Sequence, residues 1–531
     1  VAVNEPWVCF EDDDLLVVYK PAGVNTHRAD TYAQQGMYEW VASQRAGSSL
    51  AILHRLDKAT SGLLAFGKTP AANRALTDQF SQGTIAKRYE MIVPRDDSRA
   101  DTMSCNDPIG QKTRDGSVDR PAETDFARAQ VGSTFERFDA FPHTGRTHQI
   151  RVHATNLAME IVGDTAHGGL PAPRLFLHAA QLSFIGPTGT THKLAAPRPE
   201  SFDRLVKGTP NGDVGLASLV AHEARSALFD SQDTNAYVWI DRQHDGFDNV
   251  RVERLDDALL AINYSDSLTP LPTDWINAWS ETFGGAAVFE QFRPRGGGGG
   301  QAQLVAGDHS SRFMVSELGA HYVIDLDASP TSTGLFLDQR ETRRRIRSTT
   351  KRDATVLNTF GHTGSFSVAA ALAGARTTTL DLSKRYLDWA RENLRANGIS
   401  VDEHDFIFGD AAEWMDRLAK KGRTFDLVIL DPPSSSTAGK GSNRRWVVER
   451  DLHTLVERGA RLCTEGGTLF VSTNLRRMTW NQFLDHIDRG LAAVSRTGTI
   501  ETETVPIDHR SGPGDPPYLK AAWVRLDDEP T

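Results

Sequence analysis

Cysteine is scarce in this chain: three residues among 531, Cys9, Cys105 and Cys463, odd in number and far apart. That spacing excludes a disulfide framework and a zinc motif, and it suits a reducing compartment. No metal is expected. Long apolar runs are missing as well, since none approaches the roughly 18 residues that a membrane span needs. The N-terminal stretch turns acidic at Glu11-Asp12-Asp13-Asp14 and lacks the basic-then-apolar pattern of a secretory signal, so a cytoplasmic enzyme is the expectation. Positive charge is not in excess. The 59 Lys and Arg against 69 Asp and Glu leave a net charge of -10, which speaks against an indiscriminate nucleic-acid binder but allows a local basic surface. Candidates for such a surface are Arg343-Arg344-Arg345 with Arg347, Lys351 and Arg352, and Lys440 with Arg444-Arg445.

At 531 residues the chain exceeds what one hydrophobic core organises, which predicts several domains. Residues 1–207 alternate β-branched and apolar runs, such as Leu15-Leu16-Val17-Val18-Tyr19 and Tyr89-Glu90-Met91-Ile92-Val93, with polar turns. This reads as a mainly antiparallel α+β domain. Gly208-Thr209-Pro210-Asn211-Gly212 is turn chemistry that marks a boundary, and a helix is expected from Leu216 to Phe229. Residues 213–330 read as a small mixed α+β connecting domain, with the Gly296–Gly300 run as a linker or hairpin tip. From 331 to 531 strands and helices alternate as in a doubly wound, Rossmann-like α/β fold. Strands are expected at Ala354–Phe360, Thr377–Leu382, Phe406–Phe408, Phe425–Leu430 and Thr468–Ser472. A helix is expected at Arg385–Asn397, with Leu387, Ala390 and Leu394 on one face and Gly398 as its cap.

The run His54-Arg55-Leu56-Asp57-Lys58-Ala59-Thr60-Ser61-Gly62 places a carboxylate in a short polar cluster between apolar stretches. Lys20-Pro21-Ala22-Gly23 lies upstream of it, with Lys87-Arg88-Tyr89 and Thr144-Gly145-Arg146-Thr147-His148-Gln149-Ile150-Arg151-Val152-His153 downstream. In this order and spacing the four segments resemble the RluA family of pseudouridine synthases, over about residues 8–205. The resemblance implies cofactor-free conversion of a uridine in RNA to pseudouridine, with Asp57 acting as nucleophile or as a base toward the sugar. It also implies that the base is flipped out of its stack, that Arg55 fills the gap, that Tyr89 stacks on the base, and that Arg151 holds Asp57 ionised. His167, in Gly163-Asp164-Thr165-Ala166-His167-Gly168, stands where the family usually has tyrosine.

Further along, Phe360-Gly361-His362-Thr363-Gly364 follows a strand and opens a small-residue helix, so backbone can approach a ligand at the sheet edge. Asp381-Leu382-Ser383 ends the next strand, where a carboxylate can accept ribose hydroxyls. Asp410-Ala411 is placed to reach the adenine end, and Asp431-Pro432-Pro433 ends the fourth strand. The Asp-Pro-Pro run favours S-adenosylmethionine over a dinucleotide. With Thr333-Gly334-Leu335-Phe336-Leu337-Asp338-Gln339-Arg340, these segments resemble the RlmI/RlmK group of ribosomal RNA methyltransferases over about residues 213–530. Arg340, Ser472 and Asn474 are the substrate-side candidates that this resemblance implies.

Within that group a cytosine-C5 enzyme needs a cysteine to attack the ring. Here Ser472-Thr473-Asn474 stands where that cysteine would fall, and Cys463 is expected in the preceding helix. Guanine N7 already carries a lone pair and needs only alignment. The expectation is therefore a bifunctional enzyme that makes pseudouridine and N7-methylguanine in large-subunit ribosomal RNA. Cytosine methylation, a transfer-RNA target and an inactive RNA-gripping half remain the alternatives. The family usually has a bulky residue after Asp-Pro-Pro, whereas Ser434-Ser435-Ser436 follows here.

Overall fold

The computed structural model describes residues 5–45, 49–113, 116–294, 299–329, 332–436, 446–510 and 517–527. Lys440, Arg444, Arg445 and most of the glycine run lie outside these residues.

The first domain is built on a ten-stranded sheet whose central path runs Leu15–Lys20, Ser61–Gly67, Leu177–Ile185, Ala86–Pro94 and Phe135–Pro142. Pairing along this path is antiparallel except between Ser61–Gly67 and Leu177–Ile185. The run Leu15-Leu16-Val17-Val18 is buried throughout because both faces are covered: Leu15 and Val17 enter one apolar cluster, Leu16 and Val18 another. Helix Glu200–Val206 closes the domain, and helix Val214–Ser226, capped by Asp213, opens the next unit. That unit holds a five-stranded sheet spanning Ala236 to Ala306 and a hairpin of strands Arg312–Glu317 and Ala320–Asp325.

The last domain is a seven-stranded sheet. Its order is Asp405–Phe408, Arg376–Asp381, Thr355–Thr359, Phe425–Leu430, Cys463–Thr473, Lys520–Leu526 and Gly498–Glu503. The first five strands are parallel, and Lys520–Leu526 runs antiparallel to both its neighbours. Strand order reverses between Thr355–Thr359 and Phe425–Leu430, which puts a crevice at their carboxyl ends. The helix expected at Arg385–Asn397 spans Lys384–Ala396, with Ser383 capping its start and Gly398, at φ 71°, one residue beyond the C-cap Asn397. Cys463 is not helical. It is the first residue of the strand Cys463–Thr473, whose pairing with Phe425–Leu430 shifts register between Phe425 and Leu427.

Two candidate active sites

In the first domain, Asp57 lines a cavity of about 730 Å³ together with Arg55, Tyr89, Lys87, His148 and Arg151. The segment carrying Arg151 is fixed by Gln149, whose Oε1 accepts from Thr144 Oγ1 and Arg146 N at 2.7 and 3.0 Å. Its amide donates to Glu123 O and Thr124 Oγ1. His148 turns the chain at φ 56° into helix Gln149–Asn156, so Arg151 emerges from the first turn toward Asp57. Arg151 Nη1 donates to Asp57 Oδ2 at 3.5 Å, and His148 Nε2 lies 3.9 Å from the same oxygen.

Sequence reasoning missed Asp164. This buried carboxylate accepts two hydrogen bonds from Arg151, Nε at 2.7 Å and Nη2 at 2.6 Å, and His167 Nδ1 lies 2.9 Å from it. Burial alone would raise the Asp164 carboxyl, but the bonds from Arg151 and His167 outweigh it and hold the group below its ordinary value. His167 thus props the Arg151–Asp164 pair, and its ring stands edge-on to His148 at 5.5 Å. The signal for Asp164 in the sequence is Gly163-Asp164, three residues before His167. Burial pushes the Tyr89 hydroxyl up, reinforced by the nearby Asp57 charge, so it stays protonated. Burial lowers Lys87 to about 8. Lys20 is fully buried and donates to Val24 O and Lys58 O, pinning the Lys-Pro-Ala-Gly loop to the residue after Asp57.

In the last domain, the turn after Thr355–Thr359 holds Phe360 and His362 at φ 53° and 48° and Gly364 at 76°. A Cβ on Gly364 would meet Ala390 Cβ at 2.6 Å, so glycine lets the turn pack directly on helix Lys384–Ala396. Asp381 accepts His362 N on one oxygen and Ser383 N on the other, each at 2.8 Å, and burial raises its carboxyl. A carboxylate offers about four acceptor sites, so Asp381 keeps capacity for a further donor. Leu382 and Phe408 are half exposed beside it, and Asp410 caps helix Ala411–Lys420 through Glu413 N. Asp431 accepts from Ser472 Oγ at 2.6 Å, and desolvation pushes its carboxyl up to about 6, with the nearby Asp338 charge adding to the rise. Pro432 is buried and Pro433 exposed. This donor set fits S-adenosylmethionine: carboxylates for hydroxyls and an ammonium, and apolar faces for a flat purine.

Several expected ligand contacts are corrected. Arg340 does not face a substrate: it is buried, donates to Asp508 Oδ1 at 2.7 Å and lies 3.3 Å from Glu317. Ser472 is buried and supports Asp431 instead of touching a base. Thr363 is buried and donates to Gly334 O. Asn474 is exposed and accepts from Ser434 Oγ at 3.0 Å, which leaves its amide group at the mouth of the crevice. Of the basic run, Arg343, Arg344 and Arg345 are engaged by partners within the protein, whereas Arg347 is exposed and donates to Leu318 O at 2.7 Å. Arg343 is buried against Glu317, Arg344 pairs with Glu341 and donates to Ser43 O, and Arg345 pairs with Glu501 over the Trp523 ring. Lys351 and Arg352 are exposed. Cys463 is buried, its thiol pushed up to about 12 by burial.

Both sheets and both carboxylate sites define a protein with an RNA pseudouridylate synthase domain joined to an S-adenosylmethionine-dependent methyltransferase domain, and family models with those descriptions match residues 14–156 and 266–504. A Bacillus subtilis protein provisionally named as a ribosomal RNA large subunit methyltransferase is 33% identical over 57% of this chain and 78% of its own length. The chain therefore belongs to that methyltransferase family, with the synthase domain preceding it. Ribosomal RNA large subunit methyltransferase K of Neisseria meningitidis is 37% identical over 38% of this chain and 54% of its own length. In fold, the chain is similar to a Streptococcus mutans structure provisionally named as a SAM-dependent methyltransferase, with a TM-score of 0.53 at 24% identity over 65% of this chain and 87% of that one.

Proposed function

We propose that the chain carries out two modifications of large-subunit ribosomal RNA, isomerising a uridine at Asp57 and methylating a guanine at N7 beside Asp431. For the synthase, the observation that carries the reading is Asp57 in a cavity of about 730 Å³, faced by Arg151 and Tyr89. The reaction breaks the C1′–N1 bond and forms C1′–C5 from the atoms of one uridine, so it consumes no co-substrate. Arg151 orients Asp57, Tyr89 offers its ring to the flipped base, and Arg55 sits at the cavity wall to occupy the vacated stack.

For methyl transfer, S-adenosylmethionine supplies an electrophilic methyl on sulfur. Asp381, Leu382, Ser383 and Asp410 would hold its nucleoside, and the Phe360–Gly364 turn with Asp431-Pro432-Pro433 its amino-acid end. Asn474 at the crevice mouth offers an amide to the guanine edge. The observation that favours N7 over cytosine C5 is chemical: Cys463 is buried with its thiol near Thr468 O, and Ser472 spends its hydroxyl on Asp431. Neither is a free nucleophile. Sequencing ribosomal and transfer RNA from a strain lacking the gene tests the reading. Loss of one pseudouridine and one N7-methylguanosine from large-subunit RNA is expected. Intact ribosomal RNA with losses in transfer RNA overturns it.

A further inference from the structure

Between strands Gly498–Glu503 and Lys520–Leu526 the chain leaves the methyltransferase sheet, and residues 504–509 are buried. Ile507 lies in one apolar cluster with Trp7, Leu16, Val24 and Leu56, so a methyltransferase side chain forms part of the synthase core. Gln34 of the first domain donates to Pro506 O and His509 O. Tyr32 stacks on Trp480 of the last domain at 4.9 Å and 17°.

Arg510 goes further. Its backbone N–H donates to Asp241 Oδ2 at 3.0 Å and its Nε lies 3.6 Å from Asp245, both in the small domain. Its Nη1 reaches into the synthase and donates to Ala22 O at 2.8 Å. The next residue, Gly23, has φ 83°, and a Cβ there would lie 1.2 Å from Arg510 Nη1, so the loop needs glycine for the guanidinium to enter. Gly23 N in turn donates to Lys58 O at 2.7 Å, one residue from Asp57.

We propose that Arg510 is a positioning residue for the synthase: a methyltransferase side chain that holds the Ala22–Gly23 turn and, through Lys58, the backbone carrying Asp57. The same segment supports the other site. Asp508 binds Arg340, next to Gln339, whose amide donates to Ser472, the partner of Asp431. One strap between two strands thus underlies both carboxylates, and the synthase geometry depends on docking of its neighbour.

The inference rests on the synthase reading above, and the test separates the two. In the full chain, Arg510→Ala, Arg510→Lys and, as an interface control, Arg344→Ala are compared. Single-turnover pseudouridine formation is measured on unmodified large-subunit RNA transcript with enzyme in excess, alongside hydrogen exchange of segments 20–24 and 57–60. Arg510→Ala is expected to slow the single turnover by about tenfold or more at unchanged transcript affinity, because small misplacements of a reacting group are costly. It should also deprotect Gly23 N–H. Arg510→Lys should recover much of both, and Arg344→Ala should change neither. Wild-type rate and protection in Arg510→Ala overturn the proposal, as does an equal effect of Arg344→Ala. If the native chain makes no pseudouridine, the synthase reading falls, and the exchange comparison still decides the link. Should Arg510→Ala fail to fold, Arg510→Gln, too short to reach Ala22 O, takes its place, and wild-type rate and protection in it overturn the proposal.

Discussion

Asp164 grips Arg151 through two hydrogen bonds of 2.7 and 2.6 Å, which leaves Arg151 only Nη1 to turn toward Asp57. The guanidinium is oriented by the carboxylate behind it. Asp164→Asn should therefore slow pseudouridine formation by about 10- to 100-fold through misorientation and destabilise the fold by about 1–3 kcal/mol. Stopped assays and urea titration check the two effects. Because the folded Asp164 carboxyl is held below its ordinary value of 3.8, its stabilisation is complete above that pH and is lost as pH falls through the folded value. The acid unfolding limb of Asp164→Asn should be correspondingly shallower.

Asp431 works in the opposite sense. Its carboxyl is raised to about 6, so it is protonated in the free protein below that pH and ionised above. If it meets the cofactor's ammonium, binding favours the ionised form and releases a proton. Affinity for S-adenosylmethionine, measured by calorimetry, should rise from pH 5 to 7 and then level off. Asp431→Asn should weaken binding at pH 7 and remove that slope. A pH-independent affinity in the native chain contradicts the assignment.

Arg343 and Arg345 should separate stability from RNA binding. Arg343→Ala removes one of the two arginines on buried Glu317, leaves it Arg340 at 3.3 Å, and should cost about 1–3 kcal/mol, seen as a lowered melting temperature. Arg345→Ala removes an exposed pair with Glu501 and should cost about 1 kcal/mol or less. Its RNA affinity should keep the native salt slope, since Arg345 is already paired in the protein. A flattened slope would return this helix to the docking surface.

These arginines mark where sequence reading failed. A run of cations looks solvated until its partners are known, and Arg340 and Arg343 find theirs in Asp508 and Glu317, 168 and 26 residues away. Cys463 falls outside the expected helix because the strand begins five residues before Thr468, through the polar Thr464-Glu465-Gly466-Gly467. Asp57, Tyr89 and Arg151 were legible because each lies in a local motif whose chemistry needs its residue type, and they do line one cavity. Asp381 and Asp431 were legible for another reason: a carboxylate at the carboxyl end of a parallel strand faces the crevice by topology. Ser472 was found but misread, since its hydroxyl turns inward to Asp431.

Cysteine chemistry gives a direct check of the methyl acceptor. Alanine is the right replacement for buried Cys105 and Cys463, because serine would bury an unpaired hydroxyl. The variant with Cys9, Cys105 and Cys463 all changed to Ala should still methylate, and nuclease digestion of its product should release N7-methylguanosine. Trapping of the native chain by a 5-fluorocytosine RNA would place it among the cytosine enzymes.

The central claim is two separate carboxylate-centred activities on one chain. Unmodified large-subunit RNA transcript is incubated with S-adenosylmethionine and the native chain, Asp57→Asn or Asp431→Asn, and both products are quantified in each digest by mass spectrometry. Asp57→Asn should lose pseudouridine and keep methylguanosine, whereas Asp431→Asn should do the reverse. Pseudouridine persisting in Asp57→Asn, or a native chain that yields only one of the two products, would contradict the account.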